Sequence, residues 1–507
     1  MRKVIDEQMK LGEVEISKIV IDLNSRDETP QLLLGLQHIY RNLPLRDKAF
    51  AILGEHIKDS GTGRPGMDLW KILVLGTLRL NCDCDYDRLK EMADNHINVR
   101  EMLGHTPWTC RDKYPLQTLK DNVGLLTPAL LDEVNKLVVE AGHAVIGKTG
   151  EPIKARCDSF VVETNVHFPT DINLLFDAVR KSVELCARLC DHLGIPGWRQ
   201  SEHLLDKLRR QMLYCARLKH NASKNAQDGK KTARREAQAL KVKEAYASYL
   251  AQAELLLARV DAAVVEATRS GCVDKEETIA KVPVIERFAD GARHQVDLVR
   301  RRVLEGEAIP HADKFFSVFK KETEWICKGK AGKPQELGIR VGLVEDQYGF
   351  ILSHLVMENT VDSKAAVALV TAAKKDFPTL HSCSFDQGFW APDVFIELQK
   401  ILSVVAVKKK GKLSKDDRKR EESDEFRKAR RGHSAVESAI NALGNHGLDR
   451  CPDCGIDAFK RYVAMGVLAR NIQKLGALIQ KKELERIKRS KAAKEAWERR
   501  KMLDPAA

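Results

Sequence analysis

The stretch Ile153-Lys-Ala-Arg-Cys-Asp158-Ser-Phe-Val-Val-Glu-Thr-Asn-Val-His-Phe168 interrupts a chain that otherwise reads as helix on both sides of it. β-Branched and aromatic residues crowd into it and it ends at Pro169-Thr-Asp171, which predicts one long bent strand or two short ones. Upstream, residues 67–80 carry apolar side chains at helical spacing, a polar break follows at Asn81-Cys-Asp-Cys-Asp85, and 86–96 is a second amphipathic run. That order fits a helix-turn-helix unit and equally two neighbours in any helical bundle. Thr127 and Pro128 mark the start of a further helix as N-cap and first helical residue.

Downstream, residues 172–304 return to helical spacing with no strand signal, and 219–246 is strongly basic. Strands resume at 338–344 and 350–357 around a turn at Gly349, then a helix at 363–375 leads to an apolar strand, 380–385, that ends at Asp386-Gln-Gly388. A helix at 391–402, a strand at 403–407, a charge-dense linker at 408–431 and a helix at 434–443 follow. With the helical block set aside, the order predicts an α/β core, a mixed sheet flanked by helices of the ribonuclease H-like kind. The expected domains are a helical N-terminal domain at 1–150, a core at 151–171 and 305–450, an inserted helical domain at 172–304, and C-terminal helices with a basic tail at 451–507.

A chain of 507 residues is too long for one small core and predicts two to four domains. Its net charge of +13 suits a polyanionic partner, nucleic acid ahead of a membrane surface. No apolar h-region follows Met1, the apolar runs are far short of a membrane span, and the cysteines are scattered, so a reducing cytoplasm is the expected setting.

Three acids carry the chemistry. Asp158 lies within the first strand, Asp386 closes a later one, and Glu437 sits one turn into a helix. Were the strands of Asp158 and Asp386 neighbours, their carboxylates would converge, and a packed helix would bring Glu437 over them. Clustered carboxylates repel one another, and two Mg²⁺ ions about 4 Å apart relieve that repulsion while creating a phosphodiester site. Mg²⁺ takes hard oxygen ligands, and Mn²⁺ can substitute. Singly, each acid also reads as a turn former, a helix cap or a solvated helix residue.

The same residues carry a family resemblance. Cys157-Asp-Ser-Phe-Val-Val-Glu-Thr-Asn-Val-His-Phe-Pro-Thr-Asp171 closely resembles the first catalytic motif of insertion-sequence DDE transposases, an Asp-Ser/Thr strand running into Asn-x-x-x-Pro-Thr-Asp. Phe385-Asp-Gln-Gly-Phe389 resembles the second motif, and Arg430, Arg431, Glu437 and Gly447-Leu-Asp-Arg450 resemble the third. The segment 316–338, and Gly63-Arg-Pro-Gly66 with 69–92, are similar to further parts of that family. The resemblance implies a ribonuclease H-like core and two divalent metal ions bridged by Asp158 and Asp386, with Glu437 on one of them. It also implies double-stranded DNA partners, the terminal inverted repeats and the target, a homo-oligomer on DNA, and transfer by cut-and-paste or a related route. One branch of the family has Tyr, Arg, Glu and Lys at fixed spacing around the Glu; here those positions are Arg430, His433, Glu437 and Gly444. The hairpin-intermediate route linked to that signature is therefore not implied. Glu421 and Glu425 are the reserve candidates for the third acid.

Arg430 and Arg431 are expected on DNA phosphates. Trp325, with Lys328, Lys330 and Lys333 close by, reads as a stacking platform for an unpaired base or as a strand tryptophan packed in the core. Cys451-Pro-Asp-Cys454 has no second pair at zinc-site spacing, with His446 as its one near companion. The basic tail from Lys481 reads as a DNA-backbone contact or a solvated helix. The competing functions are a metal-dependent nuclease without strand transfer, and a DNA-binding protein derived from a transposase.

Overall fold

Helices fill the N-terminal part of the chain, and their ends are set by side-chain caps. The computed structural model describes residues 3–5, 8–57, 66–109, 113–227, 232–270, 275–327 and 335–503. It divides into two units, Met1–Asn165 with Lys328–Ala507, and Val166–Cys327. The first unit begins with α1 (Glu28–Arg41), α2 (Leu43–His56), α3 (Leu69–Asn81), α4 (Tyr86–Asn95), α5 (Ile97–Met102), α6 (Leu116–Val123) and α7 (Pro128–Ile146). Asp27 caps α1 by accepting from Thr29 N at 2.7 Å, and Thr127 caps α7 from Leu130 N at 3.3 Å, with Pro128 opening the helix. The α3–α4 pair is built as core: α3 is buried on nearly every face, and Asp94 of α4 is held by Lys90 and by Tyr114 N.

The strand at the centre of the sheet is β1 (Ile153–Thr164), a single strand of 12 residues. The short β2 (Glu324–Cys327) belongs to the second unit's stretch of chain. On one side β1 pairs antiparallel with β3 (Gln335–Glu345), which turns through Gly349 into antiparallel β4 (Ile351–Met357). Gly349 sits at φ +83, a left-handed conformation that costs glycine least. On the other side β1 runs parallel to β5 (Leu380–Phe385), and β5 parallel to β6 (Val404–Ala406). β7 (Arg450–Cys451) adds a short parallel pairing at the end of β1. Among the described residues the mixed sheet has seven strands. Helices α12 (Asp362–Asp376) and α13 (Pro392–Ile401) connect β4 to β5 and β5 to β6.

The charge-dense segment 408–431, expected as a linker, is folded into α14 (Lys415–Glu422) and α15 (Asp424–His433). Ser414 and Asp417 form a reciprocal capping box at the start of α14, and Ser423 caps α15. One buried apolar anchor, Phe426, seats α15, while Arg420 lies over the ring of Phe395 at 4.3 Å. A charged composition therefore hid two helices whose order comes from caps and a single anchor rather than an apolar stripe. α16 (Ala435–Leu443) follows, and α17 (Ile456–Leu503) closes the chain.

The first half of α17 is buried among α1, α3 and α7. Its crossing with α1 is close: a Cβ on Gly476 would stand 1.7 Å from Gln31 O, and one on Gly35 2.2 Å from Ile472 O. Asn471 of α17 donates to Asn135 Oδ1 of α7 at 2.7 Å and accepts from Ile351 N of β4 at 3.0 Å, joining three elements through one buried amide. The N-terminal helices, the sheet and the C-terminal helix, expected as separate domains, thus share one continuous core.

The second unit holds α8 (Asp171–His192), α9 (Ser201–Gln227), α10 (Thr232–Ser270) and α11 (Lys275–Val299). Leu175, Val179, Tyr249, Leu257 and Phe288 lie in its own apolar core, and Tyr249 Oη donates to Ile172 O at 2.9 Å. It is wider than the expected insertion, 172–304, because the chain after α11 stays with it: Val318 enters the core and His294 bonds Asp313 O at 2.7 Å.

Gly476→Ala is expected to destabilise the first unit by about 2 kcal/mol or more, the range for forcing an extra carbon into a closed contact. Chemical denaturation measures it, and an unchanged midpoint means the α1–α17 crossing can widen at no cost.

Candidate active site

The parallel ladder between β1 and β5 ends with Cys157 paired to Phe385. Asp158 and Asp386 are the next residues on each strand, and neighbouring strands lie about 4.8 Å apart. The expected adjacency of these two acids is therefore set by sheet register. Asp158 is half-buried, with Oδ1 accepting from Ser159 N at 2.7 Å. Asp386 is exposed at the head of a tight turn, Gln387–Phe389.

A further acid, not singled out in the sequence, faces the same place. Asp362, the first residue of α12, accepts from Ser159 Oγ at 2.7 Å through Oδ1. Its Oδ2 and the Oδ2 of Asp386 lie 3.7 and 3.9 Å from the point where a Cβ on Gly388 would stand. The two carboxylates front one gap, and glycine at 388 leaves it open. In the sequence Asp362 looks like an ordinary acid at a helix start; only the packing of α12 beside β1 gives it another role.

Glu437 is exposed on α16, whose Val436, Ala439 and Leu443 are buried, and α16 packs against β1. Among the described residues no three acid, histidine or cysteine side chains form a group that could hold a metal ion. The structure thus sets Asp158, Asp386 and Asp362 about one gap, and neither Asp362 nor Glu437 closes a three-ligand set. The donor chemistry, carboxylate oxygens with no thiol or imidazole between them, is that of a site for Mg²⁺ or Mn²⁺. Of the reserve acids, Glu421 accepts from Lys409 N at 2.9 Å and pairs with Arg420 at 3.3 Å, which is a structural role. Glu425 lines a neighbouring cleft.

Cations surround the acids. Arg430 donates to Phe385 O at 2.7 Å, fixing the end of β5 just before Asp386, while Arg431 is exposed on α15. Lys410 Nζ donates to Gly388 O at 3.2 Å. A cleft of about 590 Å³ lined by Lys154, Arg156, His381, Lys428 and Gly432 runs along β1, β5 and α15. Arg156 is held by Gly432 O and Asp346 O and approaches Glu345 at 3.4 Å. Burial pushes the Glu345 carboxyl up to about 7. His433 shares a 3.1 Å hydrogen bond with Ser384 Oγ beneath the site. Burial, then the Arg430 charge, press its pKa down to about 4, against the opposing pull of Asp386.

The other expectations fall elsewhere. Trp325 is half-buried on β2 against Phe168 and Phe316, and Lys328, Lys330 and Lys333 lie outside the described residues. Cys451 is buried and Cys454 exposed. Asp453 between them makes a two-point contact with buried Arg79 at 2.8 and 3.2 Å. His446 has both ring nitrogens engaged, by Asn81 O and Gln473 Oε1, so it is not placed as a zinc ligand for that loop. No described helix is long and apolar enough to cross a membrane. Comparison of the chain with protein-family models, curated proteins and solved structures gives no match.

Because His433 titrates near 4 in the fold against an ordinary 6.5, the unfolded chain takes up its proton first as pH falls. Its contribution to stability is present above 6.5 and is lost between there and about 4. Glu345 acts in the opposite sense, its contribution being lost as pH rises from its ordinary 4.5 to about 7. Denaturation midpoints measured from pH 7 to 4 should fall less steeply for His433→Asn than for the parent chain; identical slopes would mean His433 is already protonated in the fold.

Proposed function

We propose that this chain is a DDE-type DNA transposase with a ribonuclease H-like catalytic core, cleaving transposon ends and joining them to target DNA. The observation that carries the reading is the register of β1 and β5, which brings Asp158 of the first motif level with Asp386 of the second. The antiparallel hairpin on one side of β1, the parallel strands on the other and the flanking helices are the mixed sheet that such a core calls for. The three motifs described for the family lie in order along this sheet and the helices packed on it.

In this reading Asp158 and Asp386, with Asp362 across the gap, hold Mg²⁺, and Glu437 is the third acid of the motif set. Bound divalent ions would supply Lewis acidity to the attacking and leaving oxygens of a phosphodiester. The chain's own groups do the holding: Ser159 orients Asp362, and Arg430 clamps the carbonyl before Asp386. Arg431, Lys154 and Lys428 offer positive charge to backbone phosphates along the cleft. The net charge of +13 supports the same partner. Its partners are then the terminal inverted repeats and the target duplex, engaged by an oligomer of the chain.

The test is a cleavage and strand-transfer assay on DNA carrying the inverted repeats that flank the coding region. Asp158→Asn and Asp386→Asn should each reduce Mg²⁺-dependent cleavage by at least about a hundredfold, the scale of losing a principal transition-state contact. Binding to the ends should stay within about twofold, because the phosphate contacts lie elsewhere. Glu437→Gln should be as damaging and Glu421→Gln should be active; the reverse result moves the third acid into α14. Cleavage without joining would assign the chain to the nucleases, and specific binding without cleavage to the DNA-binding derivatives.

A second measurement addresses the C-terminal tail. From Lys481 the described part of α17 is largely exposed. Truncation there should flatten the log–log salt dependence of DNA binding by about one unit or more, at about 0.9 per phosphate released. An unchanged slope makes the tail a solvated helix.

A further inference from the structure

The second unit contains a pocket of about 430 Å³ with its own chemistry. Two aromatic rings stand beside Trp325 in its lining: Phe168 at 5.4 Å and 69°, and Phe316 at 5.6 Å and 39°. Gln295 also lines it, is only 1% exposed, and its Oε1 has no hydrogen-bond partner. Lys219 and Lys314 add positive charge, while Arg302 is taken up by Asp171 at 2.6 Å.

Each of these features limits what the pocket can take. A buried acceptor left unpaired carries a desolvation cost that a donor arriving in the pocket removes. The rings offer flat apolar faces, so the donor belongs on the edge of a planar group. The lysines add a requirement for negative charge on the same ligand. A nucleotide has all three: a base face to stack, an exocyclic amine for Oε1, and a phosphate. A glutamine carboxamide matches adenine in particular, accepting from N6 while donating to N7. The volume falls within the usual range for a small-ligand site, about 300–1,000 Å³.

We propose that this pocket holds one unpaired adenine nucleotide, its base stacked beside Trp325 and Phe168, its amine on Gln295 Oε1 and its phosphate by Lys219 and Lys314. In a DNA-processing enzyme the source is a nucleotide extruded from the duplex, and this part rests on the proposed function. A free mononucleotide carries the same chemistry. Every base has a π-face, so stacking gives affinity to any base, and Gln295 gives the preference.

The full chain is titrated, without divalent metal, with three probes: a paired duplex, the same duplex with a single bulged 2-aminopurine, and free dAMP. The expected result is at least tenfold tighter binding of the bulged duplex, with 2-aminopurine fluorescence quenched on stacking. Trp325→Ala and Phe168→Ala should both lose the quenching and the preference while binding paired duplex as before. Phe168 is 58% exposed, so its variant folds even if a change at Trp325 does not. Gln295→Leu should keep the quenching and lose discrimination between a bulged adenine and a bulged thymine. Equal affinity for paired and bulged duplex, or a preference that survives in both aromatic variants, overturns the proposal. Binding of dAMP that depends on these residues, without any DNA binding, retains the pocket's chemistry and overturns the duplex as its source. The Asp158→Asn variant should show the same preference as the parent, so a failed cleavage assay and a failed pocket are told apart.

Discussion

A backbone ladder does the positioning on which the site depends. β1 is paired on both long edges, antiparallel to β3 from Arg156 to Glu163 and parallel to β5 from Ile153 to Cys157. A strand held on both sides cannot slip by one residue without turning its buried side chains outward. Cys157 is fully buried on β1 and Phe385 on β5, so the residues that follow them, Asp158 and Asp386, are fixed by core packing. Only side-chain torsions remain adjustable, which is the kind of support a metal or phosphate site needs.

The layers around the sheet add polar ties to this ladder. The Asn471 amide joins α17, α7 and β4, and buried Arg79 reaches Asp453 across the sequence while lying 4.2 Å from the ring of Tyr86. His143 and Asp346 meet at 2.6 Å where α7 meets the β3–β4 turn. Such groups are costly when unpaired and specific when satisfied. They bind the N-terminal helices and the C-terminal helix to the sheet as one body, whereas each segment's own hydrophobic pattern gives it the look of an independent domain.

Legibility in the sequence followed the range of the interactions involved. β1, β5, the Gly349 turn and the Thr127–Pro128 helix start were readable because side-chain alternation and capping act within a few residues. The segment 408–431 was misjudged because its order rests on Ser414, Ser423 and the single anchor Phe426, signals weaker than its charge. Asp158 and Asp386 could be paired in advance by supposing their strands to be neighbours. Asp362 could not, since nothing local distinguishes it from a helix-start acid, and it joins the others through Ser159 and the gap at Gly388. The shared core of the two ends of the chain was equally hidden, being made of contacts hundreds of residues apart.

The placement of Val166–Cys327 between β1 and β3 has a consequence for how the chain is made. Both of β1's long-edge partners, β3 and β5, are encoded after that unit. On a ribosome adding about 5–20 residues per second, β1 waits roughly ten to thirty seconds with both hydrogen-bonding edges open. An apolar strand in that state is a template for unwanted pairing with other chains. The second unit has a helical core of its own, dominated by short-range contacts of the kind that form quickly. It can therefore condense during the wait while β1 depends on chaperones to keep its edges covered. Transposing the same sheet into an order without the insertion would remove the delay, so the price of carrying the helical unit at this position falls on biogenesis rather than on the stability of the finished fold.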